Sequence, residues 1–119
     1  MYEPEREGER VTTAEAPSLD RIFDLLSERR RRHVLYCLYE TEDGVATVDD
    51  IVEYVLSLEG RDDSPEHREQ LVMALEHKHL PRLEDAGIVE YDSRSDTVRR
   101  WSQPSLEEWL DHARHKELS

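Results

Sequence analysis

The sequence is poor in cysteine and in long apolar runs, and each shortage removes a class of proteins. A single cysteine, Cys37, excludes an internal disulfide and fits a reducing cytoplasm. No apolar run approaches the length of a membrane span, and no secretory signal is recognisable at the start. We therefore expect a cytoplasmic protein in which Cys37 is a buried structural thiol, because free cysteine is among the most buried residue types.

The sequence also lacks the motifs of common catalytic sites. We find no nucleophile elbow, no phosphate loop and no zinc-protease motif, so we expect no enzyme. Of the six histidines, His112 and His115 are three residues apart and could share a metal on a helix. No cysteine or carboxylate set nearby completes such a site, so the sequence predicts neither a metal nor a cofactor.

Positive charge is scarce: 16 Lys and Arg stand against 29 Asp and Glu, for a net charge of −13. Such a balance argues against a simple nucleic-acid binder, because phosphate contacts need Lys and Arg. The same composition, however, is typical of proteins from salt-loving archaea, in which net charge discriminates little between functions. The acid is concentrated in residues 41–64, whereas the Arg29 to Arg32 region and residues 88–104 are relatively basic. This asymmetry is compatible with a DNA-facing side but does not require one.

The length of 119 residues predicts one domain with a single core. Residues 1–17 are charged, lack periodicity and contain proline and glycine, so we expect a disordered acidic tail. A folded domain should occupy residues 18–103. Residues 104–119 should form a C-terminal helix, with Ser105 and Glu108 as its capping box.

Two helical pieces are expected at the start of the domain. Ser18 can cap a helix that begins at Leu19, and Ser27 can cap a second piece, so a bend is predicted there. The run Arg29 to Arg32 suggests phosphate contact, but four consecutive helical residues point in all directions. Pairing of these arginines with the acidic segment 41–64 is therefore favoured over contact with DNA.

The middle of the chain predicts a short strand and two further helices. Val45-Ala46 should be a strand, and Thr47 should cap a helix that ends at Gly60. Ser64 and Pro65 mark the start of a long helix to Ala86. Leu80 lies about 180° around an ideal helix from Leu71. With Pro81 following, this predicts a kink or break between His77 and Pro81; alternatively, the two halves bury against different partners, one of them a second subunit.

A glycine stop and a hairpin follow this helix. Gly87 suits a left-handed helix end, Ile88 to Tyr91 and Thr97-Val98 favour strands, and residues 92–96 favour a turn. The segment HLPRLEDAGIVEYD resembles the HLxxLxxAGLV segment of many archaeal and bacterial winged-helix regulators. The predicted fold class is thus mostly α with a small β-hairpin, a winged helix-turn-helix.

A second resemblance concerns the start of the domain. LDRIFDLLSERRRRHVLYCL resembles the opening of a haloarchaeal winged-helix domain family of uncharacterised function. It is also similar, more loosely, to the opening of arsenic-repressor-like regulators. The resemblance to the haloarchaeal family covers about Leu19 to Trp101.

The resemblance implies a DNA-binding transcriptional regulator, with the long helix in the major groove and the wing on the backbone. Two features weaken that implication: acidic residues lie among the basic ones on the helix, and Pro81 interrupts it. The residues expected to contact DNA are Arg68, His77, Lys78, Arg82, Arg94, Arg99 and Arg100.

Double-stranded DNA and a second copy of the chain are the expected partners. A C-terminal helix outside the wing is often the dimer element in such regulators, although Trp101 and Trp109 could instead simply cover the domain's own core. The alternative function is an acidic winged-helix module that binds another protein and has lost DNA affinity.

Overall fold

The computed structural model describes residues 17–60 and 64–118, so residues 1–16 of the predicted tail lie outside the described residues. The described chain is mostly helical with a small antiparallel sheet. Its elements, in chain order, are α1 (Leu19–Leu26), α2 (Arg29–Glu40), β1 (Val45–Thr47), α3 (Val48–Glu59), α4 (Pro65–Ala74), a π turn (Leu75–His79), α5 (Leu80–Asp85), β2 (Val89–Asp92), β3 (Thr97–Arg100) and α6 (Pro104–Leu118).

Three hydroxyl caps begin helices where the sequence predicts them. The side-chain oxygens of Ser18, Thr47 and Ser64 each accept a hydrogen bond from a backbone N–H three residues on, at 3.1, 3.0 and 3.3 Å. The predicted break between α1 and α2 is confirmed, but the predicted cap is wrong. Glu28 occupies the cap position, because Ser27 instead donates its hydroxyl back to the Asp24 carbonyl at 2.7 Å.

The sheet has the order β1-β3-β2, with both pairings antiparallel. Val45 lies opposite Arg99, and Tyr91 lies opposite Val98, so β3 is the central strand. The short strand predicted at Val45-Ala46 therefore does join the hairpin. Asp96 ends the turn with φ 58°, a conformation that aspartate tolerates better than most residues.

The predicted kink in the long helix is replaced by a π turn immediately before Pro81. The Leu80 N–H donates to the Leu75 carbonyl, five residues back, so one extra residue enters that turn. The extra residue rotates the side chains that follow it about the helix axis. Four leucines on both sides of the π turn are therefore fully buried in one core: Leu71, Leu75, Leu80 and Leu83. The alternative in which the two halves bury against different partners is therefore wrong.

The core lies between α2, α3, the long helix and the inner face of the sheet. Cys37 belongs to it as predicted, and burial raises the pKa of its thiol to about 11. The thiolate is thus strongly disfavoured, which fits a structural role.

The C-terminal helix differs from its prediction at its start. It begins at Pro104, and the Glu107 carboxylate accepts the Gln103 N–H at 2.9 Å, so the capping box of Ser105 and Glu108 is wrong. Leu106 and Leu110 bury this helix against the core, as expected for an amphipathic helix. The tryptophans remain largely outside, since Trp101 is 47% and Trp109 39% exposed.

Candidate nucleic-acid interface

The π turn and α5 (residues 75–85) and the hairpin of β2 and β3 (residues 89–100) form one continuous structural unit, the helix–hairpin unit. Gly87 reverses the chain at φ 75°, and the Ile88 N–H donates to the Leu83 carbonyl at 2.9 Å. The Tyr91 hydroxyl contacts Glu76 across the junction at 3.5 Å, and Asp96 within the hairpin at 3.1 Å. Burial and these carboxylates raise the pKa of Tyr91 to about 12, so the hydroxyl keeps its proton and can donate. The helix and hairpin are therefore held in one relative orientation.

The π turn and α5 present three of the predicted contact residues to solvent. His77 and Arg82 are exposed and form no ion pair among the residues that the structure describes. Lys78 is also exposed, but its Nζ lies 3.4 Å from a Glu28 carboxylate oxygen. Because that pair is open to solvent, it is weak and can exchange for a phosphate.

The hairpin contributes two further exposed arginines. Arg94 lies in the turn between the strands, its side chain is 93% exposed, and its nearest carboxylate is Asp92 at 3.9 Å. Arg99 is exposed on the central strand and forms no ion pair within residues 17–60 and 64–118. Both guanidinium groups are thus available to an anionic partner.

Two of the predicted contact residues are instead held by the protein itself. Arg68 binds Glu53 on α3 at 2.6 Å. Arg100 turns towards α2, where its Nε donates to the Leu38 carbonyl at 3.0 Å and its guanidinium lies 4.6 Å from the centroid of the Tyr39 ring. The structure therefore brings five of the seven together on the helix–hairpin unit and gives Arg68 and Arg100 intramolecular partners.

Acidic residues share this surface. Glu76, Glu84 and Asp85 lie on the same helical segment, and Glu90 and Asp92 lie on β2. Arg21 on α1 neutralises Asp85 in part, with a 3.3 Å contact between exposed groups. The surface is thus a mixture of charges with isolated basic positions, not a continuous positive strip.

The arginine run of α2 is used for folding. Arg31 donates to the Leu25 and Asp24 carbonyls at 2.8 and 3.0 Å, and Arg32 donates to the Leu26 carbonyl at 2.6 Å. These carbonyls lie in the last turn of α1, where a helix runs out of its own N–H donors; the Asp24 carbonyl also accepts the Ser27 N–H at 3.3 Å. Pairing with the described part of the acidic segment is seen, as predicted, for one of the four: Arg30 binds Glu59 at 2.7 Å.

Glu117 is an important residue that the sequence analysis missed. Its carboxylate accepts hydrogen bonds from Arg32 at 2.9 Å and from the Tyr36 hydroxyl at 2.9 Å, and it also lies 3.6 Å from His33. The hydrogen bond from Arg32 lowers the pKa of Glu117 to about 2. It was missed because it is 85 residues from Arg32 in sequence, so no local spacing connects them.

The histidines give no sign of a metal site. Among the described residues, no group of three or more His, Cys, Asp or Glu side chains could hold a metal ion. His79 is only 2% exposed, and its Nδ1 has no hydrogen-bond partner in the described part of the chain. Burial lowers its pKa to about 4, so it is a neutral core residue beneath the exposed face.

Comparison with known proteins gives one match. A family model described as a domain of unknown function (DUF7344) matches residues 23–99, which include α2, α3, the long helix and the hairpin up to Arg99. No curated protein and no solved structure matches the chain. No helix in the described part of the chain combines the length and apolar content needed to cross a bilayer.

Proposed function

The chain belongs to the family described as a domain of unknown function (DUF7344), and because that description assigns no activity, we propose a function from the geometry. We propose a winged helix-turn-helix protein that binds double-stranded DNA and regulates transcription. The observation that carries the proposal is the rigid helix–hairpin unit with His77, Lys78, Arg82, Arg94 and Arg99 exposed along it.

The order of elements supports a winged helix. A helix-turn-helix requires two successive packed helices, a description that fits α3 and α4, which lie in contact. A wing requires a hairpin directly after the second helix, a description that fits β2 and β3. The order β1-β3-β2 places the hairpin beside the strand that precedes α3, so the sheet anchors the wing to the helices.

The mechanism follows from the two kinds of exposed position. His77, Lys78 and Arg82 project from a helix, the element whose width fits the major groove, where Lys and Arg can bind guanine N7 and O6. Arg94 and Arg99 project from the hairpin, where they would contact phosphates and fix the orientation of the helix. The π turn contributes by setting the direction of Lys78 relative to Arg82.

Two copies would be needed for a specific operator. A single small module buries little DNA surface, and two modules on half-sites one helical turn apart multiply both area and specificity. We therefore include a homodimer in the proposal.

The test is a fluorescence-polarisation titration of labelled genomic fragments over a KCl series up to molar salt. The double variant Lys78→Ala with Arg82→Ala should bind at least about tenfold more weakly, because each contact to a base edge or phosphate contributes about 1 kcal/mol or more. Arg114→Ala, which removes one exposed positive charge on α6, is the matched control and should bind as the parent does. Equal binding by the double variant and the control would contradict the proposal.

A second candidate function is supported by one specific observation: the acidic residues on the same face. A protein-interaction module tolerates Glu76, Glu84 and Glu90 beside the basic positions, whereas DNA would be repelled by them. If no fragment binds at any salt concentration while a protein partner is captured and lost with the same double variant, this second candidate replaces the first.

A further inference from the structure

An apolar stripe on α1 and α6 lies open to solvent, outside the helix–hairpin unit. Leu19 and Phe23 are 52% and 45% exposed and lie one helical turn apart. The Phe23 ring meets Trp109 edge-on, with ring centroids 5.1 Å apart. Beside this pair a groove of about 440 Å³ is lined by Phe23, Leu26, Arg32, Trp109, His112, Ala113, Lys116 and Glu117.

The two helices run in the same direction along this face. Phe23 of α1 lies level with Trp109 of α6, and the next turns of each helix supply Leu26 and Ala113 to the same groove. Further along, Arg32 at the start of α2 reaches Glu117 at 2.9 Å. The N-terminal ends of α1 and α6 therefore lie at one end of the face, and the arginine run lies at the other.

Charge is unequally distributed between these two ends. Asp20 and Glu108 are exposed at the N-terminal end, and neither forms an ion pair among the described residues. At the other end lie Lys116, which likewise has no ion pair in the described ranges, and Arg29, whose side chain is 71% exposed and lies 4.0 Å from Glu117. Along α6, the exposed charges without an ion pair thus change sign from Glu108 to Lys116, with the apolar stripe between them.

Such a face complements itself when a second copy is turned by 180° about an axis through its middle. Glu108 of each copy then meets Lys116 of the other, and the two apolar stripes meet between them, as an isologous interface requires. On α6, Glu108 and Lys116 lie four residues before and after His112, so an axis near His112 pairs Glu108 of each copy with Lys116 of the other. The net charge of −13 opposes the association of two copies, so an interface between them needs local matches of this kind.

We propose that the face formed by Leu19, Phe23, Trp109, Glu108 and Lys116 binds a second copy of this chain in antiparallel orientation. This rests on the homodimer included in the proposed function but not on DNA binding. In this arrangement α6 is a dimerisation helix, and Trp109 packs at the centre of the interface between the two copies.

Sedimentation equilibrium without DNA tests the interface by charge reversal. Glu108→Lys alone and Lys116→Glu alone should each weaken the dimer by about tenfold or more, because each places like charges opposite each other twice in a symmetric pair. Combining both changes in one chain should restore the parent affinity. Mixing the two single variants should give a heterodimer tighter than either homodimer, since the lysine introduced in one chain then faces the glutamate introduced in the other. All titrations should use the lowest KCl concentration at which the chain stays folded, because salt screens these pairs.

Trp109→Ala is the second variant and should also weaken the dimer, while circular dichroism should show that each variant keeps its helical content. A parent chain that stays monomeric at all concentrations would overturn this face and the homodimer, leaving the DNA titration as a separate test. A dimer that all these changes leave intact would overturn the face alone. Restored affinity in the double variant and in the mixture would support it.

Discussion

Arginines on two regions of this molecule have opposite roles. On α2, Arg31 is 3% exposed and bonded to two carbonyls of α1, and Arg32 is bonded to Glu117. On the helix–hairpin unit, Arg82 and Arg94 are exposed. Among the described residues, Arg82 forms no ion pair, and Arg94 lies 3.9 Å from the Asp92 carboxylate. Three of the four consecutive arginines on α2 therefore make folding contacts, whereas Arg82, Arg94 and Arg99 on the helix–hairpin unit are exposed and available to a partner.

The reason for the difference is geometric. Four consecutive residues on a helix cover its whole circumference, so most of them must face the protein. Long guanidinium side chains then satisfy the carbonyls at the end of a neighbouring helix, which would otherwise be buried without partners. In the part of the chain that the structure describes, Arg94 in the turn and Arg99 on β3 bind no such carbonyl, although Arg100 on the same strand does.

The largest effect should come from removing the buried arginine. Arg31→Ala should lower the free energy of unfolding by about 3 kcal/mol, because it removes the donor to the Leu25 carbonyl and opens a cavity. Urea titration followed by circular dichroism measures this. Arg82→Ala, which changes the same residue type on the other region, should shift the free energy of unfolding by less than about 0.5 kcal/mol. Similar losses in the two variants would abolish the distinction between the regions.

The next effect is the pH dependence of stability that comes from His79, which is buried beneath the exposed face. The pKa of His79 falls from its usual 6.5 to about 4 on burial, so the unfolded chain takes up a proton that the folded chain does not. Stability should therefore fall as pH drops from 6.5 towards 4, by about 3 kcal/mol at the acid end of that range. His79→Phe should remove this loss, since Nδ1 has no partner to lose.

Exposed His77→Gln is the matched control and should keep the parent's pH dependence.

Glu117 affects stability in a separate, lower pH range. The pKa of Glu117 is lowered by Arg32 from 4.5 to about 2, so its contribution is present above pH 4.5 and lost as pH falls towards 2. An unchanged acid profile in His79→Phe above pH 4.5 would show that His79 is not the residue responsible.

A smaller effect should show that Arg100 belongs with the folding arginines although it lies on the hairpin. Gly44 has φ 72°, and a Cβ there would lie 2.8 Å from the Arg100 Cγ. Gly87 has φ 75° with nothing within 4 Å of such a Cβ. Thermal or urea unfolding should therefore give a loss of about 1 kcal/mol for Gly87→Ala and about 2 kcal/mol for Gly44→Ala. Equal losses would mean that Arg100 moves aside without cost.

Local signals in the sequence were enough for most of the fold. Three hydroxyl caps, the glycine ends at Gly60 and Gly87 and the strand at Val45 were all predicted, because each depends on a few adjacent residues. The π turn could not be predicted, since the conflict between Leu71 and Leu80 has several solutions and only the packed core selects one. The positions of Glu117 and Arg100 depend on contacts far apart in sequence, which no single spacing reveals.

The smallest effect concerns the tip of the hairpin and distinguishes phosphate contact from base reading. Arg94 is 93% exposed, so Arg94→Ala should leave the unfolding curve unchanged. It should weaken binding to all DNA fragments alike and reduce the slope of log affinity against log salt by about 1, as expected for one lost phosphate contact. Lys78→Ala or Arg82→Ala should instead change which fragments are preferred, because a helix in the major groove reads base edges. If Arg94→Ala altered the preference and the helix variants did not, the hairpin would be the reading element and the helix its anchor.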